Sequence, residues 1–124
     1  MPDDRRRQLG AAGEQLAADH LTRRGFQILD RNYRNRWGEL DIVAFDRRAI
    51  VFCEVKTRVA THERRDPLES VHWRKRAQIR RIAGRWLVDH PNHPRVGDLR
   101  FDAIGVTLDA NGRLLRLDHI EAAF

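Results

Sequence analysis

The stretch from Gly38 to Lys56, GELDIVAFDRRAIVFCEVK, constrains the fold more than any other. Leu40, Ile42 and Ala44 alternate with Asp41, Val43 and Phe45, and a second apolar run, Ile50-Val51-Phe52-Cys53, follows the polar Asp46-Arg47-Arg48. Two short runs rich in β-branched and aromatic residues around a polar break predict a β-hairpin. Strand side chains alternate between faces, so Glu39 and Asp41 share a face, as do Glu54 and Lys56. Pairing Phe45 with Ile50 makes the loop Asp46 to Ala49. Asp41 then stands opposite Glu54, and Glu39 opposite Lys56. A loop one residue shorter would send the two carboxylates to opposite faces.

In the first register two carboxylates face each other across a ladder, where like charges repel. A divalent cation relieves that repulsion. Asp41, Glu54 and the Val55 carbonyl, completed by water, form an all-oxygen set suited to Mg²⁺ or Mn²⁺. Lys56 would stand beside the ion, where its ammonium can orient a water or steady a phosphorane-like charge. The stretch therefore reads as a metal-dependent phosphodiesterase site. The competing reading is a half-solvated hairpin with a charged outer face. Cation usage bears on the choice, because Lys56 and Lys75 are the only lysines among 24 Lys and Arg residues. A compact, rotatable ammonium and a planar fork do different chemistry, so the retained lysines mark places that need the former.

Asp41 with Glu54-Val55-Lys56 resembles the PD-(D/E)xK nuclease signature, with Leu40 standing where that signature has Pro. The wider pattern is similar to the YraN family of small bacterial proteins. The matching pieces are Gly13-Glu14, Gly38-Glu39-Leu40-Asp41, Phe52 through Arg58, Lys75, Arg100-Phe101-Asp102, His119-Ile120 and Phe124. They run through nearly the whole chain. What the resemblance implies is a restriction-endonuclease-like core, similar also to archaeal Holliday-junction resolvases. In that frame Asp41, Glu54 and Lys56 are catalytic, Glu14 and Glu39 assist, and Asp41, Glu54 and Val55 hold the metal. For Glu14 the alternative is a solvated helix residue paired with a nearby Arg.

Around the hairpin the chain reads as one domain, residues 1–124. Leu9, Gly13, Leu16, Ala17 and His20 form a helical stripe over residues 8–24, ended by Gly25. Phe26 to Tyr33 is a first strand, and Asn35-Arg36-Trp37-Gly38 a loop whose Trp37 either stacks on nucleic acid or caps the core. Cys53 alternates into the core-facing set and reads as a buried structural thiol. Thr57 to Pro67 is polar, and His62 within it lacks a second His or Cys at ligand spacing.

A second helix over residues 73–89 buries Ile79, Ile82, Ala83 and Trp86, and stops at His90-Pro91. Lys75 lies on its buried side, in the first turn. Arg74, Arg81 and Arg85, with Gln78, form a separate stripe. Leu99 to Leu108 is a strand with Gly105 as an expected bulge, Asn111-Gly112 a turn and Leu114 to Ile120 the return strand. The expected class is α/β, a mixed sheet flanked by two helices in the order αβββαββ. A parallel crossover joins the strands on either side of the second helix.

Composition narrows the function classes. The formal net charge of +6 predisposes the chain to polyanions, because neutralising phosphates releases counterions. Arg58, Arg74, Lys75, Arg81 and Arg85 are the candidate nucleic-acid contacts. A single Cys excludes an internal disulfide. No apolar run suits a signal peptide or a membrane span, so a soluble cytoplasmic protein with no membrane partner is expected. Two function classes stand. One is a metal-dependent DNA endonuclease, acting on linear or branched DNA in repair or recombination. The other is a non-catalytic nucleic-acid-binding module or interaction subunit on the same scaffold. The acid–acid–Lys set favours the enzyme, since a pure binder gains nothing from carboxylates facing phosphate. A homodimer would supply two active sites for duplex cleavage, although no residue marks an interface.

Overall fold

The structure, a computed structural model, describes residues 2–60 and 74–124, without the side chains of residues 2, 3, 74 and 75. Seven elements follow in the expected order: α1 (Pro2–Arg23), β1 (Gln27–Asn35), β2 (Gly38–Phe45), β3 (Ala49–Val59), α2 (Arg74–Asp89), β4 (Asp98–Leu108) and β5 (Leu114–Ile120). The strands form one open mixed sheet in the order β1-β2-β3-β4-β5. β3 and β4 run parallel, joined by the crossover that carries α2, and the other neighbours are antiparallel.

The helices cover opposite faces. On one, Ala17, Ala18 and Leu21 of α1 pack on Ile42, Ala44, Val51, Cys53, Ile104 and Val106. On the other, Ile79, Ile82, Ala83 and Trp86 of α2 pack on Val43, Ile50, Phe52, Phe101 and Ala103. Phe52 anchors this second layer, stacked on Phe101 at 5.4 Å and edge-on to Trp86 at 5.8 Å. The three central strands are apolar on both faces, as a sheet sandwiched between helices requires. Cys53 is fully buried, and burial pushes its thiol well above the ordinary range, so it is core rather than nucleophile.

Several boundaries differ from the sequence expectation. α1 begins at Pro2, earlier than residue 8, because an apolar stripe reports only the buried turns. Pro at the start and two Asp in the first turn suit a helix N-terminus without any core contact. At the other end Phe26 N–H donates to Leu21 O at 2.9 Å and Gly25 N–H to Thr22 O at 3.0 Å, with Gly25 at φ 88°. This is a Schellman cap, closed by the buried Leu21 and Phe26. β1 extends to Asn35 and carries a bulge between Ile28 and Asp30. Thr57 to Val59 belong to β3, where pairing to β4 as far as Leu108 outweighs their polarity. Gly105 is not a bulge: it stands in register between Lys56 and Asp118, and the irregularity falls between Thr107 and Leu108. The polar segment beyond residue 60, with His62, lies outside the described residues.

Candidate active site

β2 and β3 pair in the expected register, Phe45 with Ile50 through Ile42 with Cys53, and there the ladder stops. Asp46 closes the turn by accepting from Arg48 N–H at 2.9 Å and Ala49 N–H at 2.8 Å. Beyond Ile42 the strands part. β3 continues alongside β4, so its edge facing β2 is left without a backbone partner. The Asp41 carboxylate takes that place, with Oδ2 accepting from Val55 N–H at 2.7 Å. A strand residue's N–H and C=O point to the same side, so the Val55 carbonyl opens into the same gap. The directly opposed Asp41–Glu54 and Glu39–Lys56 pairs of the sequence reading are therefore replaced by a split. Glu39 is exposed at its rim and bonds Arg34 at 3.0 Å.

The split gathers the acids. A pocket of about 320 Å³ is lined by Glu14, Glu39, Asp41, Glu54, Val55 and Lys56, and walled by α2 through Gln78, Ile79 and Ile82. Glu54 and Lys56 point to the α2 side, and Lys56 Nζ lies 3.4 Å from Glu54 Oε1. Glu14 arrives from α1 and hydrogen-bonds the Asp41 side chain, with Arg31 and Asn32 beside it. Neighbouring carboxylates disfavour each other's charged form. Burial pushes Asp41 up, Val55 N–H opposes this, and the charges of Glu14, Glu54 and Glu39 add to it; the balance is about 7. Burial likewise raises Glu14, against the pull of the Asp41 bond and Arg31.

Among the described residues no three His, Cys, Asp or Glu side chains form a ready metal shell. The donors at the split are two carboxylates, a backbone carbonyl and the approaching Glu14. That set fits Mg²⁺ or Mn²⁺, which bind through one or two carboxylates while keeping several waters. A cation there would offset the clustered charge of Asp41, Glu54 and Glu14.

The remaining candidates fare differently. Arg58 lies in β3, two residues past Lys56 on its face. Arg81 is exposed on α2, while Arg85 bonds Asp89 at 3.1 Å and is half committed. Arg74 and Lys75 open α2, and their side chains lie outside the described residues. Trp37 packs against the α2-side core under Arg36, whose guanidinium sits 4.4 Å from its ring centroid. Sequence reasoning missed Arg31, whose Nη1 donates to Gln15 Oε1 at 2.9 Å beside Glu14. The β1 bulge reverses the alternation that would have pointed to it. It also missed the pocket role of Gln78, whose Nε2 donates to Trp37 O at 2.7 Å and ties α2 to the loop before β2.

A family model matches residues 13–106, a span that holds every carboxylate of the pocket and Lys56. The chain belongs to the uncharacterised protein family UPF0102. A UPF0102 protein of Frankia casuarinae is 47% identical over 116 residues, covering 94% of this chain and 95% of its own. One from Mycobacterium bovis is 46% identical over 119 residues, covering 92% and 90%. One from Alkaliphilus oremlandii is 41% identical over 122 residues, covering 95% and 98%. The YraN resemblance holds at family level. No helix of this UPF0102 chain, among the described residues, is long and apolar enough to cross a membrane.

In this UPF0102 chain Glu14 reaches the split because α1 crosses β3 at Gly13. A Cβ built on Gly13 would fall 2.8 Å from Thr57 Cγ2 and closer still to Thr57 Oγ1. Alanine normally strengthens a helix interior by ~1 kcal/mol over glycine. Here Gly13→Ala should instead destabilise by about 1–3 kcal/mol, the usual cost of overpacking. Urea unfolding checks it, and Thr57→Gly in the same chain should restore most of the loss.

Proposed function

We propose that this chain is a divalent-metal-dependent nucleic-acid phosphodiesterase, with DNA as its substrate and a restriction-endonuclease-like active site. The observation that carries the reading is the convergence of Asp41, Glu54, Lys56 and Glu14 on one solvent-open pocket at a break in the sheet. A structural charge cluster needs none of this geometry. A carboxylate held at about 7 by its surroundings is a poor structural element at neutral pH, and perturbed acids in a cleft favour a functional site. The net charge of +6 suits a phosphate-backbone substrate.

Asp41, Glu54 and the Val55 carbonyl would hold the cation. When bound, Mg²⁺ or Mn²⁺ supplies Lewis-acid polarisation of a phosphoryl oxygen and acidifies water. Lys56, tethered by Glu54, projects a point charge at the pocket mouth, where it can orient the attacking water or stabilise charge growing on phosphorus. Glu14, reaching the pocket from α1 beside Asp41, is placed to accept a proton from that water. Gln78 and the apolar Ile79 and Ile82 close one wall and limit bulk solvent.

Incubation with labelled linear, flapped and four-way-junction DNA, with Mn²⁺ or EDTA, tests the reading. Metal-dependent cleavage is expected. Lys56→Ala should lower kcat by a factor on the order of 10²–10³ while binding persists, and Lys56→Arg should not restore it. Equal loss of binding and cleavage in Lys56→Ala would make Lys56 only a phosphate contact.

A further inference from the structure

On the α1 side of the split lies a second cavity, of about 360 Å³. Its walls are Arg6, Leu9, Gly10 and Glu14 of α1, facing Val55, Lys56 and Thr57 of β3. It shares Glu14, Val55 and Lys56 with the carboxylate pocket, so the two cavities adjoin at the site. Its size falls in the ~300–1,000 Å³ range of small-ligand sites.

The lobe is chemically unlike the carboxylate pocket. Arg6 is exposed, and no carboxylate among the described residues pairs with it. Thr57 contributes a hydroxyl, while Leu9, Gly10 and Val55 make an apolar floor. Gly10 is the informative residue. Glycine weakens a helix interior relative to alanine. At Gly13 close packing on Thr57 explains it, but a Cβ on Gly10 would meet nothing within 4 Å. The space above Gly10 is the lobe itself, and any larger side chain there would occupy it.

We propose that this lobe is a subsite for the nucleotide next to the phosphodiester held at the carboxylates, resting on the phosphodiesterase reading. Arg6 and the Thr57 hydroxyl bind that nucleotide's phosphate, and its sugar lies on Leu9, Gly10 and Val55. Lys56, shared by the two cavities, stands between the two phosphates.

The test uses the full chain and fluorescein-labelled octathymidylate, with EDTA present so that nothing is cut, and anisotropy as the readout. Gly10→Leu and Arg6→Glu should each weaken binding roughly ten-fold, the scale of one lost charge-assisted contact. Gly84→Leu, at an α2 glycine equally open but outside both pockets, should stay within about two-fold of wild type. Amide resonances of Gly10 and Thr57 should shift when wild type is titrated with the dinucleotide pTpT. Unchanged affinity in Arg6→Glu, or in Gly10→Leu with a wild-type melt, overturns the subsite, as do shifts confined to α2. Cleavage with Mn²⁺ separates the two claims. Wild type that cuts, with a Gly10→Leu variant of equal KM, leaves the phosphodiesterase and removes the subsite. Wild type that neither binds nor cuts removes both.

Discussion

Replacing Asp102 with Ala should lower stability by about 3–5 kcal/mol, the scale of breaking a buried ion pair from one side. Asp102 is the one fully buried charged residue among those described, and every bonding direction of its carboxylate is used. Arg100 donates to both oxygens, at 2.9 and 3.0 Å. His119 Nε2 donates to Oδ2 at 2.8 Å, and Ala122 N–H to Oδ1 at 3.0 Å. That bond sets the His119 tautomer, so its Nδ1 accepts from Arg24 Nη1 at 2.8 Å and from His20 Nε2 at 3.1 Å. Removing the carboxylate strands an imidazole N–H and a backbone N–H, and leaves the Arg100 guanidinium to Asp46 at 3.0 Å and Glu121 at 3.8 Å. Glu121→Ala, which breaks the exposed pair with Arg24 at 3.0 Å and a longer one with Arg100 at 3.8 Å, should cost no more than ~1 kcal/mol.

The pH dependence of Asp102 has a definite sign. Burial raises its carboxyl, but the His119, Arg100 and Ala122 bonds outweigh burial and hold it below the ordinary value of 3.8. Its contribution is thus present above the unfolded carboxylate range and lost as acid takes the pH through the lower folded value. Urea unfolding of wild type and Asp102→Ala, at neutral pH and in acid, checks both points. A neutral-pH difference under ~1 kcal/mol would contradict the account.

How much of this was legible in the sequence varies by element, for physical reasons. The β2–β3 register was one of two the sequence allowed, because the central strands are apolar on both faces and a slip by one residue moves Ile42 and Ala44 from one covered face to the other. The structure pairs Phe45 with Ile50. Cys53, Ile79, Ile82, Ala83 and Trp86 went to the core by apolar periodicity. Asp41, Glu54 and Lys56 could be brought together in the register that pairs Phe45 with Ile50. The split could not, because alternation describes side-chain faces and says nothing of where two backbones part. Glu39 was misplaced on that account. Arg31 and Asn32 were invisible because a bulge and a residue at φ 57° break the period of β1. Glu14 stood at the edge of a helical stripe, but its contact with Asp41 depends on the close approach at Gly13, which needs Thr57 in space rather than in sequence.

The carboxylate at the split gives the second large effect, of opposite sign to the first. With no cation, the folded state holds Asp41 at about 7 against an ordinary 3.8. A raised carboxyl destabilises the fold as pH climbs through that window, because the unfolded chain ionises first. The loss is complete above about pH 7 and on the order of 4 kcal/mol. Asp41→Asn removes the charge and keeps an oxygen for Val55 N–H. The apo variant should therefore be more stable than wild type at about pH 8, by roughly 10 °C in Tm, and the two should converge toward about pH 4.

A cation that binds the folded site alone raises Tm by mass action. The decisive measurement is the thermal melt of wild type and Asp41→Asn at about pH 8, in EDTA and in millimolar Mn²⁺. The account predicts that Asp41→Asn melts higher than wild type in EDTA, that Mn²⁺ raises wild type, and that Mn²⁺ leaves the variant where it was. A wild type indifferent to Mn²⁺, with an Asn variant that melts lower, would contradict it and leave Asp41 a structural carboxylate bonded to Val55.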